Sequence, residues 1–182
     1  MKVTTFKIKD VILLQPTVFE DSRGFFLETY NAKTFHQITN SEQSFVMDTH
    51  SKSRRGVLRG LHYQVENPQG KLIRVVAGEI FDVAVDIRRS SPTFGQWISC
   101  TLSAEEKNQI WIPPGFAHGF LTLSEVSEVL YKNTDFYAPQ NERCIIWNDK
   151  DLSIDWPLDG IVPTLSEKDQ RGMPFRQAEV FD

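Results

Sequence analysis

"GKLIRVVAGEIFDVAVDI" (residues 70–87) sets the fold class. Within "EIFDVAVDI" (79–87), Phe81, Val83, Val85 and Ile87 fall on one face, and Asp82 and Asp86 on the other. That period of two is the pattern of a β-strand. "GKLIRVVAG" (70–78) reads as the strand before it, and Gly78-Glu79 predicts a tight hairpin connection between the two. Further short strands are expected in "VTTFKIK", "FFLETY", "SFVMD", "QWISCTL", "QIWIP", "GFLTL" and "EVLYKNTD". Turn residues separate most of them at intervals of about ten, which predicts an all-β sandwich or barrel. Helical signal is thin: one short helix at "NAKTFHQI" (31–38), a turn at "SAEE" (103–106) and another at "SEKDQR" (166–171), the last two opening as capping boxes. No repeat, low-complexity tract or linker interrupts the chain, so residues 1–182 read as one domain. From about residue 150 the chain is richer in Pro, Asp and Gly, which predicts an irregular C-terminal wrap around the barrel.

Composition narrows the function. The 182 residues are 40% hydrophobic and 24% charged, as in an ordinary globular protein that can bury a sizeable core. A net charge of −4 argues against a nucleic-acid surface, though not against a small basic pocket for one anionic ligand. The N-terminus lacks an apolar run of signal-peptide length, and no segment reaches the length of a transmembrane helix. The reading is cytoplasmic, with no membrane partner. Two isolated cysteines, Cys100 and Cys144, form no disulfide framework or CxxC pair and read as small buried hydrophobes.

Two histidines carry the chemical question. His62 lies in "VLRGLHYQ" (57–64), and His118 follows a Pro-Pro-Gly turn in "IPPGFAHGF" (112–120). A metal-binding double-stranded β-helix supplies His-x-His and a Glu from one strand pair, then a later His. His118 sits in such a later segment, but Gln64 stands where the second histidine of the first should be, and Glu66 runs into an Asn67-Pro68 turn. A transition metal wants three or four converging ligands, so no metal is expected. Arg59 and Lys71 are unusual beside strands this apolar, and with His62 they would line one anion pocket. Strand parity opposes this, because positions 59 and 62 would face opposite ways. Gly60 between them is a candidate bulge that re-aims one side chain. His36 and His50 read as structural, hydrogen-bonded histidines. From the residues alone, Asp169 is equally a helix cap, Tyr131 a core tyrosine and Arg23 a solvated turn residue.

Longer segments resemble a known family. "EDSRGFFLETYN", "SRRGVLRGLHYQ", "GKLIRVVAGEIFDVAVDIRRSSPTFGQW", "IWIPPGFAHGFLTLSE" and "WNDKDLSIDWP" together resemble the dTDP-4-dehydrorhamnose 3,5-epimerases, over nearly the whole chain. The resemblance implies an all-β, cupin-like jelly roll (a double-stranded β-helix) with a few short helices, working as a homodimer without metal or other cofactor. It implies inversion of C3 and C5 of dTDP-4-keto-6-deoxy-D-glucose, giving dTDP-4-keto-L-rhamnose for dTDP-L-rhamnose synthesis. It makes His62 the general base, Asp169 its orienting carboxylate, Tyr131 the general acid on the other face of the sugar and Lys71 the partner of the C4 oxygen. Arg23, Glu28, Asp48, Arg59, His118, Glu142 and Lys168 fall at substrate-binding positions. One departure stands out: where the family commonly has Gln-Asp-Asn, this chain has Met47-Asp48-Thr49, and only Asp48 carries over.

The chemistry asks for these residue types. A proton beside a ketone is roughly a dozen pKa units less acidic than imidazolium, or roughly 16 kcal/mol. Histidine is a sensible base because its pKa lies near operating pH, but the enolate oxygen then needs a fixed cation such as Lys71. Inversion also needs an acid on the opposite face, and a tyrosine holds its proton at neutral pH. The alternatives are an epimerase acting only at C3 or only at C5, a metal-dependent cupin enzyme, and a nucleotide-sugar-binding module without catalysis.

Overall fold

The computed structural model describes residues 1–182. In chain order the strands are β1 (Lys2–Thr5), β2 (Ile12–Gln15), β3 (Val18–Asp21), β4 (Gly24–Leu27), β5 (Met47–Arg54), β6 (Leu58–Gln64), β7 (Lys71–Ala77), β8 (Glu79–Asp86), β9 (Trp97–Ser103), β10 (Gln109–Ile112), β11 (Phe116–Thr122), β12 (Val126–Asn133) and β13 (Glu142–Cys144). Helix α1 spans Ala32–Thr39 and α2 spans Glu167–Gln170. Six strands form one sheet in the order β1-β2-β10-β7-β12-β5, and five form a second in the order β13-β6-β11-β8-β9. All named pairs are antiparallel. The two sheets pack face to face as the expected jelly roll.

Three apolar layers hold it together. Between the sheets, Ile73, Val75, Ile110 and Val129 from the first meet Ile80, Ala84, Leu102 and Phe120 from the second. Outside the five-stranded sheet, Leu61, Val83 and Val85 are covered by Leu152, Trp156 and Ala178 of the mostly irregular C-terminal segment. Outside the six-stranded sheet, α1 lays Phe35 on Ile12, Leu14, Leu72 and Trp111. Asn31 caps α1 by accepting from the Thr34 amide, and Asn40 ends it in the left-handed conformation. The hairpin β3–β4 stands apart as its own two-stranded ribbon, with Phe19, Phe25 and Phe26 exposed.

The hairpin expected at Gly78-Glu79 does not form. β7 pairs with β10 and β12, whereas β8 pairs with β11 and β9 in the other sheet. Gly78 instead turns the chain across the sandwich, at φ +73°, and its carbonyl accepts from Ala104 N. A glycine between two apolar strands is the same local signal for a hairpin and for a corner. Which one forms depends on the ladder partners, and these lie far away in sequence. The alternation in residues 79–87 is present, but neither face meets water. The Phe81 and Val83 face lies under the C-terminal segment, and Asp82 and Asp86 are fully buried.

The corner at Gly78 leaves no room for a side chain. A Cβ there would stand 2.0 Å from the Val126 carbonyl oxygen and 2.2 Å from Ser124 Oγ. Gly78→Ala should therefore cost about 2 kcal/mol or more, from the left-handed backbone and the clash together. The loss is read as a lower urea midpoint at unchanged m-value; an unchanged midpoint would mean that the corner tolerates a methyl group.

Candidate active site

The site begins with a bulge. Along the β6–β11 ladder His62 is opposite His118 and Arg59 is opposite Phe120, so three steps on β6 match two on β11. The extra residue lies in the stretch that holds Gly60, at φ +117°. A Cβ at Gly60 would lie 2.6 Å from both Gly119 Cα and the His118 carbonyl oxygen, so two glycines let the strands approach. The parity objection is thereby resolved: Arg59 and His62 both line one cavity between the sheets, of about 180 Å3.

The five-stranded sheet supplies Arg59, His62, His118 and Glu142 to this cavity, and the six-stranded sheet supplies Thr49, Lys71, Tyr131 and Asn133. Lys71 is opposite Asn133 and Tyr131 is opposite Ile73, so alternation puts Lys71 and Tyr131 on the same inner face. His62 and Tyr131 therefore project from opposite walls.

Asp169 fixes the imidazole of His62. Its Oδ1 accepts from His62 Nε2 at 2.5 Å and from the Gly60 amide at 3.2 Å, and its Oδ2 accepts from Ser166 Oγ at 2.6 Å. Ser166 and Asp169 also form the capping box of α2, so the capping and orienting roles belong to one carboxylate. Burial pushes the Asp169 carboxyl up, but the hydrogen bonds from His62 and Ser166 outweigh it and bring the pKa down to about 2. Asp169 is thus an anion that holds the Nε2 proton, which leaves the lone pair of the imidazole on Nδ1. Burial lowers the His62 pKa more than Asp169 raises it, which keeps the imidazole neutral.

Lys71 forms no ion pair. Burial lowers its pKa to about 8, against the attraction of Glu142 and Asp82. An ammonium without a carboxylate partner in this setting is a ready donor to a developing oxyanion. Burial raises the Tyr131 pKa, and its hydroxyl lies 3.4 Å from Ser51 Oγ. It stays a protonated phenol. Arg59 donates only to Ser53 Oγ and the Lys52 carbonyl, which leaves its charge uncompensated for an anion.

The remaining expected residues divide. His118 donates from Nε2 to Asp82 at 2.8 Å, a second buried histidine–aspartate pair beside the first. Lys168 bonds Glu142 at 2.7 Å at the edge of the cavity, and Tyr137 donates to the other Glu142 oxygen. Asp48 points the other way: it pairs with the Lys132 ammonium at 3.1 Å and borders a separate cavity on the opposite side of the sheet. Its neighbours Met47 and Thr49, the two departures from the family pattern, are the ones that line the catalytic cavity. Arg23 bonds Asp21 in the exposed β3–β4 hairpin, and Glu28 bonds Asn31 just beyond it; neither lines this cavity. The capping box expected at Ser166 and Asp169 is present. Residue-level reading missed Asp82 and Tyr137 as partners, and of these Asp82 left a signal, a carboxylate in an apolar strand.

Gln64 has a different occupation from a metal ligand. Its amide donates to the carbonyls of Asn67 and Phe136 and accepts from the Ala138 amide, clamping the adjoining loops. One group does gather three ligand types: His62, Cys144 and Asp169 each bring an atom within 4.8 Å of the others.

The family model for dTDP-4-dehydrorhamnose 3,5-epimerase matches residues 5–177. The chain belongs to this family. It is 60% identical over 181 residues to the dTDP-4-dehydrorhamnose 3,5-epimerase of Pseudomonas aeruginosa, covering 100% of this chain and 99% of the relative. It is 53% identical over 182 residues to that of Shigella flexneri, with the same coverages. A crystal structure of the dTDP-6-deoxy-D-glucose-3,5-epimerase of Legionella pneumophila, in complex with dTDP-4-keto-L-rhamnose, superposes with a TM-score of 0.95 at 47% identity, over 98% of this chain and 94% of that one.

These protonation states shape the pH profile. In the roles that the family resemblance implies for them, His62 works neutral and Lys71 charged. kcat/KM should rise with pH as His62 loses its proton, below the ordinary histidine value of 6.5, and fall as Lys71 loses its own near pH 8. Lys71→Arg, whose guanidinium stays charged, should move the alkaline limb of the residual activity upward. An alkaline limb left near pH 8 in that variant would assign it to another group.

Proposed function

We propose that this epimerase inverts C3 and C5 of dTDP-4-dehydro-6-deoxy-D-glucose, giving dTDP-4-dehydro-L-rhamnose for dTDP-L-rhamnose synthesis. The observation that carries the reading is the placement of His62 and Tyr131 on opposite walls of one cavity, with an unpaired Lys71 in the same cavity. Nδ1 of His62 removes the proton beside the C4 ketone. Asp169 stabilises the imidazolium that forms, and Lys71 takes the enolate oxygen. Tyr131 returns a proton to the opposite face. Before the second carbon reacts, the imidazolium gives its proton to solvent and the Tyr131 phenolate takes one back, and turning that carbon toward the reset pair repeats the sequence. Each proton removed from or returned to the sugar passes through a side chain of the cavity, so no step calls for a metal. The relatives' activity supports the same chemistry.

Binding of the rest of the substrate follows from size. A cavity of about 180 Å3 is smaller than the pockets of about 300–1,000 Å3 that enclose drug-sized ligands. The sugar fits inside and the nucleoside diphosphate lies over the rim, toward Arg59 and Lys168. We infer a homodimer in which the β3–β4 hairpin of one copy carries Arg23 and its exposed phenylalanines to the rim of the other. The support is that Arg23 does not line its own chain's cavity. Residues 1–182 act as one domain in this reading, because the C-terminal segment seals the sheet that carries His62. Two free thiols suit the reducing cytoplasm.

Solvent deuterium should enter both C3 and C5 of the substrate. His62→Ala should slow this by about 10²–10⁴-fold while dTDP still binds. Exchange at one carbon only would make the protein a single-centre epimerase, and wild-type exchange in the variant would remove His62 from the role. Co-expressing His62→Ala with Arg23→Ala should restore activity above either alone, because one site of the hybrid dimer is intact. Sedimentation as a monomer, or no restoration, would overturn the dimer.

A further inference from the structure

We propose that His62, Cys144 and Asp169 form an inhibitory site for a thiophilic divalent cation of the Zn2+ class. The inhibitory half of this inference rests on His62 being the base.

Cys144 has no part in the epimerisation, yet it sits against the group that does. β13 pairs with β6 so that Cys144 is opposite His62. The adjacent pair, Leu61 and Ile145, exchanges both backbone hydrogen bonds. Cys144 and His62 therefore form the non-hydrogen-bonded pair next to it, the kind whose side chains approach closest. Cys144 Sγ lies 4.0 Å from the same Asp169 Oδ1 that holds His62 Nε2. One sulfur, one imidazole nitrogen and one carboxylate oxygen thus lie within 4.8 Å of one another.

This is a ligand set that zinc accepts, with a fourth position left for water. Tetrahedral bonds of about 2.0–2.3 Å place such atoms about 3.4–3.6 Å apart. The nitrogen and oxygen, now 2.5 Å apart, must open by about 1 Å, and the sulfur, now 4.0 Å from the oxygen, must close on it by about 0.5 Å. The nearby carboxylate Glu142 is already engaged by Lys168 and Tyr137, so the trio stands as the site.

The proton balance explains the inhibition. At rest Nε2 carries the proton given to Asp169, and Nδ1 carries the lone pair. A cation at Nε2 needs that lone pair, so the Nε2 proton departs and Nδ1 takes one up. The Cys144 thiol, whose pKa burial holds up at about 12, gives its proton to solvent as the metal takes the thiolate. The net change is one proton released, and binding tightens with rising pH. An imidazole with Nδ1–H and a metal on Nε2 has no lone pair to accept a substrate proton.

Cobalt makes the site visible without any assay of activity. Titrating the full-length protein with Co2+ should raise a thiolate-to-cobalt charge-transfer band. The band should vanish in Cys144→Ala and survive in Cys100→Ala. Zn2+ should inhibit wild-type turnover, EDTA should reverse the inhibition, and Cys144→Ala should need at least about tenfold more Zn2+ for half inhibition. No charge-transfer band, or one that persists in Cys144→Ala, overturns the site. A band in a protein whose turnover is untouched by the bound metal overturns the inhibition. Neither result depends on His62→Ala exchange, which tests the base assignment by itself.

Discussion

The carboxylate of Asp169 holds three parts of the molecule in one place. It takes the imidazole of His62, the amide of Gly60 within the β6 bulge, and the hydroxyl of Ser166 that opens α2. Base, bulge and C-terminal segment therefore share one anchor. An anion this buried is costly unless its lone pairs are filled, and here Oδ1 is filled by donors from the distant strand β6 and Oδ2 by Ser166 of its own helix cap. The bulge must keep its shape for the Gly60 amide to reach Oδ1. The C-terminal segment must lie against the five-stranded sheet for Asp169 Oδ1 to reach His62 and Gly60, while Ser166 fills Oδ2 from within α2. The apolar cover of Leu152, Trp156 and Ala178 thus holds the His62–Asp169 pair in place as well as closing the core.

Much of the fold was legible. Alternation marked most of the strands, and "NAKTFHQI" gave α1 nearly to its ends. What local pattern could not supply was partnership between strands. Gly78 read as a hairpin because a tight turn and a corner between sheets use the same glycine conformation. The short strands β2, β3 and β13 are only three or four residues long, too short to establish a period, and all of them lie at or near sheet edges. For the site, the residues alone left Asp169, Tyr131 and Arg23 undecided; the family resemblance assigned their roles. Gly60 was the one local clue that the bulge exists, and its reason is the Gly119 backbone across the ladder. Asp48 illustrates the limit of carrying a motif by position. A strand turns its neighbours Met47 and Thr49 inward and Asp48 outward, so the cavity wall is less polar than the family pattern implies.

The sandwich interior is divided by chemistry. Toward one side it is a dry core of Ile73, Ile110, Phe120 and Val129. Toward the other it carries two histidine–aspartate pairs, a lysine and a tyrosine. The dry part gives the polar part its properties: burial lowers the pKa of Lys71 and His62 and raises that of Tyr131. Each shift favours the neutral form. For His62 and Tyr131 that is the form the proposed mechanism needs. For Lys71 it brings loss of the ammonium close to the working pH.

In the proposed mechanism His62 and Tyr131 act from opposite walls on the two faces of one sugar. Tyr131→Phe keeps shape and burial and removes only the transferable proton. The variant should still form the enolate, so one NMR sample in D2O should show deuterium entering the substrate faster than either carbon inverts. Inversion of C3 and C5 at wild-type rates in that sample would make Tyr131 a packing residue and contradict the account.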